Sequence, residues 1–186
     1  MKKHQSLHFI EIEPSTAAKQ TIIWLHGLGA DGNDFVPIVS ELGLPLQHSI
    51  RFIFPHAPIM PVTLNNGYEM RAWYDIYSLT SKEVDQEGIA RSVISIAEII
   101  EAEIARGISS ENIVLAGFSQ GAAIAMTTGI RYHKPLAGVI ALSGYLPLAI
   151  TSFDHTSEAN RNLPIFIAHG TEDAVVSYFA GKAAET

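Results

Sequence analysis

The stretch NIVLAGFSQG, from Asn112 to Gly121, decides the fold of this chain. Its apolar residues Ile113–Ala116 are typical of a buried strand, and the small residues of Ala122–Met126 favour a helix. Strand, Gly-x-Ser-x-Gly and helix in this order predict a nucleophile elbow, a sharp turn that exposes a serine hydroxyl. For the pentapeptide alone, an ordinary turn that contains a serine is an equal alternative, and the flanking strand and helix favour the elbow.

The chemistry of a serine nucleophile explains why these residue types occur together. A serine hydroxyl is a weak nucleophile, so Ser119 has to project from the sheet to meet both a base and a carbonyl group. The tight turn that achieves this crowds the backbone at Gly117 and Gly121, where a Cβ atom would clash. We therefore expect Ser119 to be a nucleophile.

Length and composition favour a single globular domain that covers residues 1–186. The net charge of −7, without a basic run, argues against nucleic acids and anionic membrane surfaces as partners. The absence of cysteine excludes disulfides, thiolate catalysis and cysteine-bound metal. No apolar segment is long enough for a signal sequence or a membrane span, so we expect a cytoplasmic protein without integral membrane association.

Apolar strands alternate with helices along the rest of the chain. We expect a helix that begins near Ser81, because apolar residues recur there at helical spacing: Ile89, Val93, Ile96, Ile100 and Ile104. This alternation predicts an α/β fold, a doubly wound and mostly parallel sheet with helices on both faces. Besides the elbow strand, the predicted strands are Leu7–Glu13 at a sheet edge, Thr21–Leu25, Arg51–Pro55, Leu136–Leu142 and Pro164–Ala168.

Residues 56–79 contain several prolines, asparagines and a glycine and show little periodicity, so we expect a long irregular segment. Trp73, Tyr74 and Tyr77 lie in it. Large amphipathic rings could line an apolar substrate groove, or they could simply pack the segment onto the domain. The sequence favours neither.

Three loops with polar or glycine residues follow predicted strands: His26–Asp31, the elbow, and His169–Asp173. In parallel sheets such loops meet at one edge, where ligands bind. The first loop lacks both phosphate-binding glycine patterns, so a backbone N–H aimed at an oxyanion fits it better, with a plain tight turn as the alternative. We expect Asn33 or Asp34 to cap a short helix that extends through Val39.

At these residues the sequence resembles the phospholipase/carboxylesterase family of small α/β-hydrolases, which includes acyl-protein thioesterases and lysophospholipases. The resemblance spans nearly the whole chain. The matching pieces, in order, are LHGLGADG (Leu25–Gly32), MRAWYDI (Met70–Ile76), GFSQG (Gly117–Gly121), LSGYLP (Leu142–Pro147) and HGTEDAVV (His169–Val176).

This resemblance implies that Ser119 is the nucleophile and Asp173 the acid of a catalytic triad. It implies that the backbone N–H groups of Leu28 and Gln120 form the oxyanion hole, and that Trp73 belongs to the acyl or leaving-group pocket. Expected substrates are small-molecule or lipid esters: short- to medium-chain carboxylic esters, thioesters or lysophospholipids. No metal or organic cofactor is implied.

Four further residues lie in the matching motifs. We expect His26 and His169 to be structural, because each precedes a glycine at a strand end, and to hold the loops through hydrogen bonds. We expect Asp31 and Asp75 to be acceptors that stabilise loops.

The sequence departs from the family at its carboxyl end. In α/β-hydrolases the triad histidine follows the acid, but none of the 13 residues after Asp173 is histidine. We therefore expect a hydrolase fold that lacks its last strand and helix, with impaired catalysis and an exposed sheet edge that could support a homodimer. The alternative hypothesis is a non-catalytic protein that binds an acyl ligand or a protein partner. The sequence does not place His155.

Overall fold

A six-stranded sheet forms the centre of the structure, a computed structural model that describes residues 6–78, 83–147 and 156–184. Strand β1 is antiparallel to its neighbour, and the other neighbouring strands are parallel. The strands within these ranges are β1 (Phe9–Ile12), β2 (Gln20–Leu25), β3 (Ile50–Pro55), β4 (Ile59–Val62), β5 (Tyr68–Arg71), β6 (Ile113–Phe118), β7 (Gly138–Leu142) and β8 (Ile165–Ala168). The sheet order is β1-β3-β2-β6-β7-β8.

Four α-helices of the described residues accompany the sheet: α1 (Ile38–Glu41), α2 (Gln86–Ala105), α3 (Gln120–Arg131) and α4 (Tyr178–Lys182). Helix α2 begins after Asp85, whose side chain accepts a hydrogen bond from the N–H of Gly88, as an N-cap does. The predicted isoleucine face of α2 is confirmed, since Ile89, Ile96 and Ile100 are fully buried. The start that we predicted for this helix, Ser81, lies outside the described residues.

The two faces of the sheet bury different side chains. Along β2, Ile23 and Leu25 enter a core that α2 and α3 cover. Trp24 points the other way, into a second core with Phe35 and Val39. This period-two alternation places helices on both faces and confirms the predicted α/β architecture.

The strand register brings the predicted functional loops to one edge. Leu25 of β2 pairs with Gly117 of β6, and Leu142 of β7 pairs with both Phe118 and Ala168. The chain therefore leaves β2, β6, β7 and β8 at neighbouring points of the same edge. The loops that begin at His26, Ser119 and His169 all start there.

The structure corrects two of our predictions. The segment predicted to be irregular contains the β4–β5 hairpin, whose turn uses Asn66 and Gly67 at φ values of 56° and 75°. Asparagine and glycine tolerate this left-handed conformation, which short hairpin turns require. The cap after β2 is Asp31, not Asn33 or Asp34, and it begins a 3₁₀ helix (Gly32–Phe35) that is separate from α1.

Strand β8 lies at the edge of the sheet. Among the described residues it pairs with β7 alone, and Phe166 is 61% exposed. An apolar edge strand of this kind is what we expected from the carboxyl end of the sequence.

Candidate active site

The backbone at Ser119 has the strained conformation of a sharp turn. Its φ is 53° and its ψ −118°, values that non-glycine residues rarely adopt. The turn is held in place because the N–H of Ser119 donates to the carbonyl of Leu142 on β7 (2.9 Å). The side chain, half-buried, lies between the end of β6 and the start of α3.

The two glycines of the elbow allow close backbone approach, as predicted. A Cβ atom on Gly117 would lie 2.4 Å from the carbonyl oxygen of Gly121. A Cβ atom on Gly121 would lie 2.3 Å from the carbonyl oxygen of Leu25. Any side chain at either position would therefore push α3 away from the strands that position Ser119.

His26 is a structural residue of the neighbouring loop, as expected. Its side chain is buried, its Nδ1 donates to the carbonyl of Gly27 (2.7 Å), and its Nε2 accepts from the N–H of Ala57 (3.0 Å). Burial lowers the pKa of His26, although the bond to Gly27 opposes this effect. Both ring nitrogens are occupied, so His26 is not available as a base.

The backbone N–H groups of Leu28 and Gln120 have no hydrogen-bond acceptor among the described residues. Gln120 is the first residue of α3, where intrahelical acceptors are missing and the helix dipole favours negative charge. Leu28 follows Gly27, which packs so closely that an added Cβ atom would lie 3.6 Å from the Cβ of Ser119. Two free donors on the loops beside Ser119 suit a developing oxyanion.

The side chain of Gln120 has a role that the sequence did not indicate. It is 2% exposed, accepts from the N–H of Trp73 (2.9 Å) and donates to the carbonyl of Tyr74 (2.8 Å). The indole N–H of Trp73 donates to the carbonyl of His26 (2.8 Å). These bonds connect α3, the segment that carries Trp73 and Tyr74, and the loop that begins at His26. The polar side chain of Gln120, next to a helix of small apolar residues, was the only hint in the sequence.

The aromatic residues separate into two groups. Trp73 and Tyr74 are each 1% exposed and pack the segment onto the domain, whereas Tyr77 is 41% exposed. Ser92 of α2 supports this packing by donating to the carbonyl of Trp73. Direct contact between Trp73 and a substrate stays a prediction.

Asp173 lies in the loop after β8. Its Oδ1 accepts from the N–H groups of Val175 and Val176 (2.9 Å each), and these two bonds lower its pKa. Its Oδ2 lies 3.6 Å from Nε2 of His169, which donates to the carbonyl of Val176 (2.8 Å). His169 therefore stabilises this loop, as expected. The structure places Asp173 at the edge where Ser119 lies, with β7 between their strands.

The two predicted loop acceptors are confirmed. Asp31 accepts from the N–H of Asn33 (2.7 Å), and Asp75 accepts from the N–H of Thr63 (2.7 Å). Beside Asp31 lies an open polar cleft of about 460 Å³, which adjoins the first loop. Its lining residues are Gly29, Ala30, Asp31, Asn33, Asp34 and Arg71.

The hydroxyl of Ser119 has no hydrogen-bond partner among the described residues, and no base contacts it there. Another histidine near the first loop, His56, accepts from the N–H of Gly32 through its Nδ1 (3.0 Å). His155 lies outside the described residues. Within residues 6–78, 83–147 and 156–184, no cluster of three or more potential metal ligands occurs. No helix in those ranges is long and apolar enough to cross a membrane.

Comparison with known proteins identifies relatives over almost the full sequence. Residues 8–186 match the family model described as phospholipase/carboxylesterase. The chain is 43% identical over 171 residues to acyl-protein thioesterase 1 of Schizosaccharomyces pombe, an alignment that covers 91% of this chain and 75% of that protein. It is 36% identical over 170 residues to carboxylesterase SOBER1 of Arabidopsis thaliana (90% and 75%). The crystal structure of SOBER1 superimposes with a TM-score of 0.85 at 35% identity, covering 90% of this chain and 81% of that one.

Proposed function

Since this chain belongs to the phospholipase/carboxylesterase family of α/β-hydrolases, we propose that it hydrolyses carboxylic esters through an acyl-enzyme on Ser119. The observation that carries this proposal is the elbow itself. Ser119 has a strained positive φ, between two glycines whose Cβ positions are filled by backbone atoms. Strain of this kind persists at sites where it positions a reactive group.

In the proposed reaction, Oγ of Ser119 attacks the ester carbonyl and the alcohol or thiol leaves. Water then hydrolyses the acyl-enzyme and releases the acid. The free N–H groups of Leu28 and Gln120 would donate to the oxyanion of each tetrahedral intermediate, a contribution of roughly 3 kcal/mol for each donor in hydrolases of this kind. Trp73 supports the reaction as a positioning residue, because its indole holds the backbone of the Leu28 loop at His26.

The acid of the triad is Asp173 in this proposal. Its lowered pKa keeps it ionised near neutral pH, as an acid that stabilises a protonated histidine must be. No histidine follows Asp173 in the sequence, and each of the described histidines nearest to the site has at least one ring nitrogen hydrogen-bonded to the backbone. We propose that catalysis by the present chain is impaired, because no described histidine contacts Ser119 as a base.

The expected substrates are small esters, thioesters and lysophospholipids of short to medium chain length. The names of the relatives, acyl-protein thioesterases and a carboxylesterase, support esters and thioesters. A cytoplasmic location and a homodimer through the β8 edge also stay proposals. The missing histidine favours a second candidate function, a hydrolase fold that binds an acyl ligand or a protein partner without catalysis.

Hydrolysis of p-nitrophenyl butyrate separates these functions. The 186-residue chain should be about 10⁶-fold below a complete serine hydrolase in kcat, the typical loss when the base is missing. An extension after Thr186 that adds a strand, a histidine and a helix should restore turnover, and Ser119→Ala in the extended chain should abolish it. If the 186-residue chain hydrolyses the ester at ordinary esterase rates, the proposal that its catalysis is impaired is wrong. No gain from the extension would favour the binding function.

A further inference from the structure

A second cavity lies far from Ser119. It is an open groove of about 450 Å³ between α2 and the last turns of α3, a size typical of small-molecule sites. Apolar side chains of α2 line one wall, among them Val93, Ile94 and Ala97, and Ile94 is 51% exposed. Helix α3 has 12 residues, so its end at Arg131 lies about 18 Å along the helix axis from Ser119.

Two polar side chains of α3 line the groove without partners. Oγ1 of Thr128 and Nε of Arg131 are buried and have no hydrogen-bond partner in the part of the chain that the structure describes. Burial lowers the pKa of Arg131, and no carboxylate counteracts this effect. A guanidinium group still remains protonated at neutral pH. The groove therefore holds a partly buried positive charge without a counter-ion among the described residues, which an anion bound there would supply.

The acidic residues of the groove do not supply that anion. Glu101 is already neutralised, because Lys134 lies 2.7 Å from its Oε2 and the hydroxyl of Tyr132 donates to its Oε1. Glu98 is exposed to solvent, and burial alone shifts the pKa of Arg131, without a contribution from either carboxylate. An anion with an apolar body would satisfy the arginine and cover the exposed apolar wall at the same time.

We propose that this groove binds a medium-chain fatty acid, whose carboxylate accepts from Nε of Arg131 and the hydroxyl of Thr128 while its chain lies along Ile94 and Ala97. The positive charge of Arg131 favours a carboxylate head group, and the apolar side chains of α2 favour a hydrocarbon tail. The ligand belongs to the class of acids that ester hydrolysis at Ser119 would release. The groove is thus a site for product-like acids, separate from the site of reaction.

Isothermal titration calorimetry of the 186-residue chain with decanoate, decanol and acetate tests this proposal. Decanoate should bind, whereas acetate lacks the chain and decanol lacks the charge, so both should bind at least roughly tenfold more weakly. Arg131→Gln should weaken decanoate binding by about tenfold or more, the usual effect of a lost charge-assisted bond. The matched control is Arg91→Gln, since Arg91 is an exposed arginine of α2 outside the groove. It should leave the affinity unchanged.

Three results would each overturn the proposal. Decanoate does not bind, the wild type binds decanol as tightly as decanoate, or Arg131→Gln binds decanoate as tightly as the wild type does. Circular dichroism checks that Arg131→Gln is folded. If it is not, Thr128→Val carries the test, with about threefold weaker binding expected for a neutral hydrogen bond and equal affinity overturning the proposal. Binding does not involve Ser119, so these results are independent of the proposed hydrolysis.

Discussion

Gln120 contributes to the site through two different groups. Its backbone N–H has no acceptor among the described residues and is a proposed oxyanion donor, while its buried side chain bonds to Trp73 and Tyr74. The local sequence predicted the first role, because the residue after an elbow serine donates its N–H. It could not predict the second, because the bonded partners lie 47 and 46 residues away along the chain.

Gln120→Ala should strongly destabilise the chain. The change leaves a buried N–H and a buried carbonyl unpaired, each at about 1–3 kcal/mol, so we expect a loss of about 2–4 kcal/mol in the free energy of unfolding. Urea denaturation measures it. Gln86→Ala is the matched control, because Gln86 is exposed at the start of α2 and its replacement should change stability by less than about 0.5 kcal/mol. A similarly small change for Gln120→Ala would contradict the bridging role.

The buried His26 predicts a dependence of stability on pH. Its pKa is lowered from 6.5 in the folded chain, so below about pH 6.5 the unfolded state takes up a proton that the folded state does not. Stability is therefore complete above that pH and falls as the pH drops toward the folded pKa. Between about pH 6.5 and pH 5.5 this loss has an upper bound of about 1.4 kcal/mol, the value of one pH unit for one proton.

Urea denaturation near pH 7.5 and pH 5.5 checks this prediction. His26→Gln should lower the stability at both values and should remove part of the decrease between them. His8→Gln, a change of an exposed histidine, should retain the full decrease of the wild type. An identical decrease in His26→Gln and the wild type would show that His26 does not titrate in this way.

At the scale of elements, the elbow depends on close approach between α3 and the ends of β2 and β6. Gly121→Ala would place a Cβ atom against the backbone carbonyls of Leu25 and His26, at 2.3 and 2.5 Å, and backbone cannot rotate away as a side chain can. We expect a loss of about 3 kcal/mol or more in the free energy of unfolding, at the upper end for overpacked sites. Thermal and urea denaturation measure it.

Gly170→Ala is the matched control for this substitution. Gly170 lies in the loop after β8. A Cβ atom added there would have its nearest neighbours, two atoms of Asp173, 4.0 Å away. Its replacement should change stability by less than about 1 kcal/mol. If the two variants are equally stable, close packing at Gly121 is not what shapes the elbow.

The β4–β5 hairpin shows where prediction of elements from the sequence failed. Pro58 and Pro61 suggested a loop, because proline lacks the N–H that a central strand needs. In the structure Pro61 lies in β4 of a separate two-stranded sheet, which tolerates it. The Asn66–Gly67 pair was informative, because both residue types adopt the left-handed conformation that ends the connection after the 3₁₀ turn of Thr63–Asn65.

For the whole molecule, the sequence predicted what depends on local pattern and chain order. The alternation of apolar strands and helices predicted the architecture. The polar and glycine residues that follow β2, β6 and β8 predicted which loops meet at one edge of the sheet. The groove at Arg131 could not be predicted, because it exists only where the surfaces of α2 and α3 approach each other. Contacts between distant segments of this kind are not encoded in the periodicity of either helix.

The whole molecule also explains how the site can be well formed without a described base beside Ser119. The elbow, the free donors of the first loop and the Asp173 loop are each held by their own hydrogen bonds. None of these bonds requires a triad histidine. In this proposal, hydrolysis needs a histidine base in addition to these loops, and the loops are already in place without it.

Labelling with a fluorophosphonate probe tests the central claim, that Ser119 is the nucleophile, most directly. The chain extended by a strand, a histidine and a helix is incubated with the probe, and peptide mass spectrometry locates the added mass. We predict one modified residue, Ser119, and no labelling after Ser119→Ala. Labelling of another residue, or of the Ser119→Ala chain to the same extent, would contradict the account.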